Sequence, residues 1–284
     1  EIFFPRGKGF GGSSSINGHL YVRGQPDDYN QWAQLGNLGW GYDDILPYFK
    51  KSENRAGGNE AYRGKDGPLF VTDIVEKHPI CEEFINGSKE LNVPLQEDYN
   101  SGNQEGIFYY QRTIKNGMRF SASDAFLKPA LKRKNVEIYS NTMVLKIIFK
   151  NKKAVGLVCK KNNKKFEIYA EKEIILCAGA IGTPHLLQVS GIGNPEHLKN
   201  IGVSTLHESK NIGEGLQDHY AVRVSNSINK PVSLNERARG YKLALEVMKW
   251  IFFKKGLLSY SPAHVGVFLK SSPAIDFPDL QFVF

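Results

Sequence analysis

Residues 136–178 are built of short β-branched and aromatic runs, at 136–139, 144–149, 154–160, 166–170 and 173–177. Asn-Lys and Asn-Asn pairs separate several of them, which predicts an antiparallel meander with tight turns feeding a final, wholly apolar strand. Upstream the period changes to that of helices. Asp27 and Asp28 can cap a helix running through Trp32 and Leu35, and the 36–41 glycine segment breaks it. Asp43 and Asp44 then open a second helix over 45–51, with Leu46 and Phe49 on one face. Residues 52–68 read as loop, 69–73 as a short strand, and 78–91 as a helix with Ile80, Phe84 and Ser88 at helical spacing. Within the turn-rich 92–117 stretch one strand is expected at 107–114, and a helix at 121–133 despite Pro129. Thr183 suits an N-cap and Pro184 the first helical position of a helix that passes Leu187 and Val189 and stops at Gly191. Residues 237–254 predict another helix, and 265–269 and 280–284 two closing strands.

Composition narrows this picture. The chain has 284 residues, 41% hydrophobic and 23% charged, a soluble globular profile long enough to bury a sizeable core. It contains no apolar run of about 18 residues, the length a membrane-spanning helix needs. The net charge is +8, but the lysines cluster at turns (50–51, 132–134, 152–153, 160–165) without interleaved arginine and aromatic residues. Solvated loops are expected there, and nucleic acid is not an expected partner. The three cysteines, Cys81, Cys159 and Cys177, show no metal-binding spacing and read as buried thiols of a reducing compartment. No metal site is expected. A cytoplasmic location is expected, with peripheral membrane contact left open. The chain begins Glu-Ile-Phe-Phe-Pro without methionine and stops inside a strand-like run, so it reads as an internal piece of a longer protein.

Two stretches carry candidate chemistry. The first runs from Pro5 to His19 and contains Gly7-x-Gly9-x-x-Gly12, a literal dinucleotide fingerprint that lacks the long preceding strand and clear following helix of a Rossmann turn. Gly11, Gly12, Ser13 and Ser14 can instead present N–H groups and hydroxyls to a polar ligand, with Asn17 adding a donor and an acceptor. The second runs from Cys177 to Gly193. There an apolar strand, Ala178-Gly179-Ala180 and a capped helix would bring backbone to a ligand at a sheet edge. Two such stretches suggest one large ligand held from two sides.

The first stretch, continued to Tyr21-Val22-Arg23-Gly24, resembles the first signature of the glucose–methanol–choline (GMC) flavin oxidoreductases. Gly179-Ala180-x-x-Thr183-Pro184-x-x-Leu187 followed by Ser190-Gly191-Ile192-Gly193 resembles the second. Trp40-Gly41-Tyr42, Arg119-Phe120-Ser121, Ala125-Phe126-Leu127 and the 211–219 segment agree in order. The resemblance is nearest to bacterial choline dehydrogenase-like alcohol dehydrogenases. It implies an α/β fold of mixed character: an incomplete Rossmann-like FAD domain at 1–50 and 120–225, and an incomplete β-sheet substrate domain at 51–119 and 226–284.

The implied activity is FAD-dependent oxidation of an alcohol to an aldehyde or ketone, with electrons passed to a quinone, a dye-like carrier or oxygen. An oxidase or lyase of the same fold and a non-catalytic flavin-binding piece are the alternatives. The implied cofactor contacts are Gly11, Gly12, Ser13, Ser14, Asn17, Gly18, His19 and Leu20 at the flavin ring and pyrophosphate. Val144 is implied at the adenine, and Ala178 and Gly179 at the ribose. Ile16 stands where some relatives carry the histidine that bonds FAD covalently, so non-covalent FAD is expected. Ser261-Pro262-Ala263-His264 replaces the Asn-His-Phe-Glu element of choline enzymes, which argues against choline itself. A GxGxxG strand before Glu1 and a catalytic histidine after Phe284 are expected. No catalytic residue is assigned among the seven histidines present, and His219 reads as a packed structural residue. The 284-residue chain alone is therefore expected to bind FAD weakly and to show no turnover.

Overall fold

A computed structural model describes residues 3–284. The chain forms two compact units, Glu1–Val136 with Asn226–Phe284, and Glu137–Ser225. Six strands of four or more residues are present among the described residues: β1 Gly106–Tyr109, β2 Met143–Lys150, β3 Lys153–Lys161, β4 Lys164–Tyr169, β5 Val265–Leu269 and β6 Leu280–Val283. Five helices of nine or more residues accompany them: α1 Pro26–Gln34, α2 Tyr42–Ser52, α3 Pro79–Glu90, α4 Gly179–Val189 and α5 Gly240–Phe253.

In the first unit β5 is the central strand of an antiparallel sheet, flanked by β1 and β6. Alternation sorts its side chains between two faces. Ile107, Val265 and Val267 pack with Cys81 and Ile85 of α3. Phe108, Tyr110 and Phe268 pack on the other face with Tyr99 and Ala263, and the Tyr99 and Phe108 rings stack at 4.0 Å. Gly266 lies opposite Phe108 because a Cβ there would come within 2.5 Å of both the Phe108 and the Tyr110 rings.

A polar core sits beside this apolar one. Glu53, just past α2, is fully buried and accepts from the Arg23 guanidinium at 2.8 Å, from two Arg63 nitrogens and from the Gly64 N–H at 2.9 Å. Arg63 also donates to Asp98 at 2.6 Å and to Gln111 at 2.9 Å. Arg23 further lies over the Phe49 ring of α2.

The second unit is the expected meander, with β3 pairing antiparallel to both β2 and β4. Its turns place Asn151, Lys152, Asn162 and Asn163 at positive φ, the conformation a tight right-twisted hairpin demands. Helix α4 packs on β2. Ser190 locks the pair: its hydroxyl donates to the Leu186 carbonyl at 2.6 Å and accepts from the Ile147 N–H at 2.9 Å.

Several local expectations are corrected. Residues 173–177 form no strand, and Cys177 is exposed, not buried. An apolar run becomes a strand only where a neighbour offers a ladder, and no described strand pairs with this one. Helix α4 starts at Gly179, so Thr183 is not its N-cap; from within the helix its hydroxyl accepts the Ala178 N–H at 3.1 Å. The 121–133 stretch is a π-type turn, Ser123–Leu127, followed by Lys128–Ala130, because Pro129 has no N–H to continue an α-helical ladder. Residues 107–114 are extended but change partners: β1 ends at Tyr109, Arg112 bridges Leu20 and Thr72, and Ile114–Lys115 pairs with Met118–Arg119. Residues 136–139 are not a strand, and 237–254 divides into Leu234–Arg237 and α5. His219 is exposed at 88% of its side chain and packs against no core.

Candidate functional site

The first glycine stretch closes on itself as a loop ending in a 3₁₀ turn, Gly12–Ser15, which is neither strand nor Rossmann helix. The Gly7 N–H donates to the Ser13 hydroxyl at 3.2 Å. The Ser14 hydroxyl donates to the Gly11 carbonyl at 2.5 Å and accepts from the Ala122 N–H at 2.9 Å, so it serves the loop's own geometry. Gly12 holds φ +52, and no atom lies within 4 Å of the place where its Cβ would be. The backbone there is open to a close-lying ligand in a conformation a larger residue would strain.

Arg119 fixes the next turn. It donates to the Asn17 side-chain oxygen at 2.8 Å, to the Asn17 carbonyl at 2.6 Å and to the Ser14 carbonyl at 3.1 Å. The same Asn17 oxygen accepts the His19 N–H at 3.0 Å. Ser121 and Asp124 hold the segment that receives Ser14. Asp124 accepts from the Ser121 hydroxyl and from Lys128, and those contacts hold its carboxyl down to about 2. Sequence reading singled out 119–121 as a family element but did not assign Arg119 to the site, because its role is to hold other residues. Arg119→Ala is expected to weaken flavin binding at least tenfold while lowering stability by only about 1 kcal/mol, as exposed charge-assisted hydrogen bonds are lost. Flavin fluorescence titration of protein expressed at the length of its relatives, beside urea unfolding, checks this; equal affinity in the variant would remove Arg119 from the site.

His19 follows at φ +46 with its ring buried and neither ring nitrogen hydrogen-bonded. Burial, then the charges of Arg119 and Arg112, push its pKa down to about 4. The Thr113 N–H holds the His19 carbonyl at 2.8 Å, and Leu20 bridges Arg112. Gly18 lies against Pro262, whose Cγ would be 2.9 Å from an added Cβ. The residues Gly11, Gly12, Ser13, Ser14, Asn17, Gly18, His19 and Leu20 are thus held by 111–124 and by the 259–264 segment, all within the first unit.

Val144, Ala178 and Gly179 lie in the second unit. Val144 is in β2 where a register shift separates it from Lys146, loosening the ladder at that edge. Ala178 and Gly179 are exposed at the start of α4. Gly179 has φ +82 and, like Gly12, open space at its missing Cβ.

A family model described as GMC oxidoreductase matches residues 1–221. The chain belongs to this family. Its mixed helix-and-strand fold is that of the family's structures. An FAD-dependent oxidoreductase from Chaetomium thermophilum is 28% identical with a TM-score of 0.81, covering 90% of this chain and 48% of that one. A pyridoxine 4-oxidase from Mesorbium loti is 34% identical, TM-score 0.68, covering 72% and 40%. Among curated proteins, an oxygen-dependent choline dehydrogenase of Brucella anthropi is 39% identical over all of this chain and 52% of its own length. The chain spans about half the length of the curated relatives it matches.

Proposed function

We propose that this protein binds FAD non-covalently and oxidises an alcohol to an aldehyde or ketone, in the manner of the choline dehydrogenase-like members of its family. The observation that supports this is the family match over residues 1–221, which spans Gly12 in the first unit and Gly179 in the second. Each lies in one of the two family signatures, at positive φ, with empty space where a side chain would stand. We assign Gly11, Gly12, Ser13, Ser14, Asn17, Gly18, His19 and Leu20 to the flavin ring and pyrophosphate. Val144 is assigned to the adenine, and Ala178 and Gly179 to the ribose. The exposed Ile16 offers no nucleophilic nitrogen for a covalent link, which supports the non-covalent reading.

FAD supplies the hydride acceptor for such an oxidation. The chain's own residues shape the place. Arg119 orders Asn17 and Ser14, and the 259–264 segment closes over Gly18. The hydroxyl proton is assigned to neither His19 nor His264. Both are held near a pKa of about 4, too low for an efficient base at neutral pH. The partners are an alcohol and an electron acceptor: oxygen, a quinone or a dye-like carrier. Cytoplasmic residence belongs to the same proposal, with peripheral membrane contact left open.

The test is spectroscopic. Protein expressed at the length of its relatives should purify yellow, bleach anaerobically on addition of a primary alcohol and regain colour with an acceptor. A colourless protein, or a chromophore indifferent to every alcohol tried, would overturn the proposal.

A further inference from the structure

Helix α5 turns its apolar side outward. Tyr241, Leu245, Met248 and Phe252 recur at i, i+4, i+7 and i+11, the spacing of a single helical stripe, and each is between 51% and 74% exposed. Ile251 and Phe253 flank the stripe, and both are exposed. A helix on the surface of a globular unit ordinarily lays such a stripe against the core. Here the other side is the anchored one. The Trp250 Nε1–H donates to the Gly117 carbonyl at 3.2 Å, and Lys249 reaches Glu76 at 2.8 Å. Glu246 accepts from Arg237 at 2.6 Å and from the Leu257 N–H at 2.8 Å. Rolling the helix to cover the stripe would break all of these bonds.

The charges around the stripe have one dominant sign. Glu246 is the only carboxylate of the helix, and Arg237 neutralises it from the inner side. Arg239, Lys242, Lys254 and Lys255 stand at the ends and flank of the helix, and none of them makes an ion pair among the described residues. They outnumber Glu236, the exposed carboxylate just before the helix. A second copy of the chain is a poor fit to this face. Antiparallel pairing of two stripes sets Lys242 against Lys254 and Lys255, and parallel pairing sets each cation beside its own copy. An outward apolar stripe with aromatic residues and a cationic border fits an anionic lipid surface, where rings enter the headgroup boundary and ammonium groups meet phosphates. The helix lies on such a surface and does not cross it: its 14 residues reach roughly 21 Å at about 1.5 Å each, and no described helix is long and apolar enough to span a membrane.

We propose that α5 docks this protein on anionic membranes, with Tyr241, Leu245, Met248 and Phe252 inserted at the interface and Arg239, Lys242, Lys254 and Lys255 against the headgroups. The proposal goes beyond the flavin reading and does not depend on it, because it rests on this helix alone and its test involves no flavin.

The experiment is flotation with vesicles, using protein expressed at the length of its relatives. Vesicles of phosphatidylcholine and phosphatidylglycerol in equal parts are compared with phosphatidylcholine alone. Binding to the anionic vesicles is expected to be at least about tenfold stronger and to weaken as salt is raised. Phe252→Glu, which places a carboxylate in the stripe, should abolish it. Lys242→Glu combined with Lys255→Glu should weaken it roughly tenfold while keeping the stripe. Circular dichroism checks that the variants are folded, and if one is not, the other together with the lipid and salt dependence still decides the matter. Equal binding to both vesicle types, or unchanged binding in folded variants, would overturn the proposal. So would no binding at all, whether because the stripe is covered by the rest of a longer protein or because it closes a dimer, which Phe252→Glu would then dissociate in light scattering.

Discussion

Replacing Glu53 with Gln is expected to cost the first unit on the order of 3–5 kcal/mol, the penalty for breaking a buried ion pair from one side. The substitution keeps volume and shape and removes only the charge. Glu53 is fully buried and answers two guanidinium groups, those of Arg23 and Arg63, besides the Gly64 N–H. Asp98 stays with Arg63 but does not reach Arg23 as an ion partner. In the variant one buried cation stands without its counter-charge, in a region where water cannot replace it. The damage should spread, because Arg23 also holds the Tyr62 carbonyl at 2.7 Å, and its own N–H and carbonyl are held by Asn100 and Gln104. Urea unfolding followed by tryptophan fluorescence measures it. A loss below about 1 kcal/mol would mean that water or a neighbour compensates the charge, and that the cluster is not the anchor described here.

Acidification should unfold the same unit well before its carboxylates are titrated. His19 and His264 are neutral in the fold, with pKa lowered to about 4 from an ordinary 6.5. For His19 the causes are burial, Arg119 and Arg112; for His264 they are burial, Arg112 and His78, with Glu76 opposing. Between these values the unfolded chain binds protons that the folded chain refuses. Stability contributed by neutral burial is therefore complete above pH 6.5 and falls away as pH drops toward 4. At about 1.4 kcal/mol per pH unit the loss approaches roughly 3 kcal/mol for each imidazole. Asp124, held down to about 2, acts in a separate and lower window: its contribution is present above the ordinary 3.8 and lost as pH falls through about 2. Unfolding free energies at pH 7.5, 5.5 and 4.5 test the claim. His264→Gln, or His19→Asn, which tolerates the left-handed backbone at that position, should each flatten the slope. A profile level from pH 6.5 to 4.5 in the unaltered chain would show both rings to be solvated.

How much of this was legible beforehand follows from which interactions are local. The hairpin turns at 151–152 and 162–163 were readable because asparagine tolerates positive φ wherever it stands. Helix α3 was readable because Pro79 opens it and its apolar spacing is regular. The positive φ of Gly12 and, in the other unit, of Gly179 was readable as composition, since glycine adopts that backbone without strain. The 173–177 run misled because hydrophobicity states a need for burial but names no partner. Residues 121–133 misled because apolar spacing outweighed the one residue, Pro129, that cannot continue the ladder.

The sequence by itself determined the family, the two small-residue segments, the meander and its turns, because each depends on residues close in the chain. Only the tertiary structure decided that Glu53, in a stretch that reads as loop, would be buried between Arg23 and Arg63. It alone decided that Arg119 would order Asn17, and that His19 and His264 would be buried with ring nitrogens left without a partner. The physical reason is common to all three. Whether a charge is solvated, paired or stranded depends on neighbours 30, 102 and more residues away, and no local pattern in a chain encodes the distance between them.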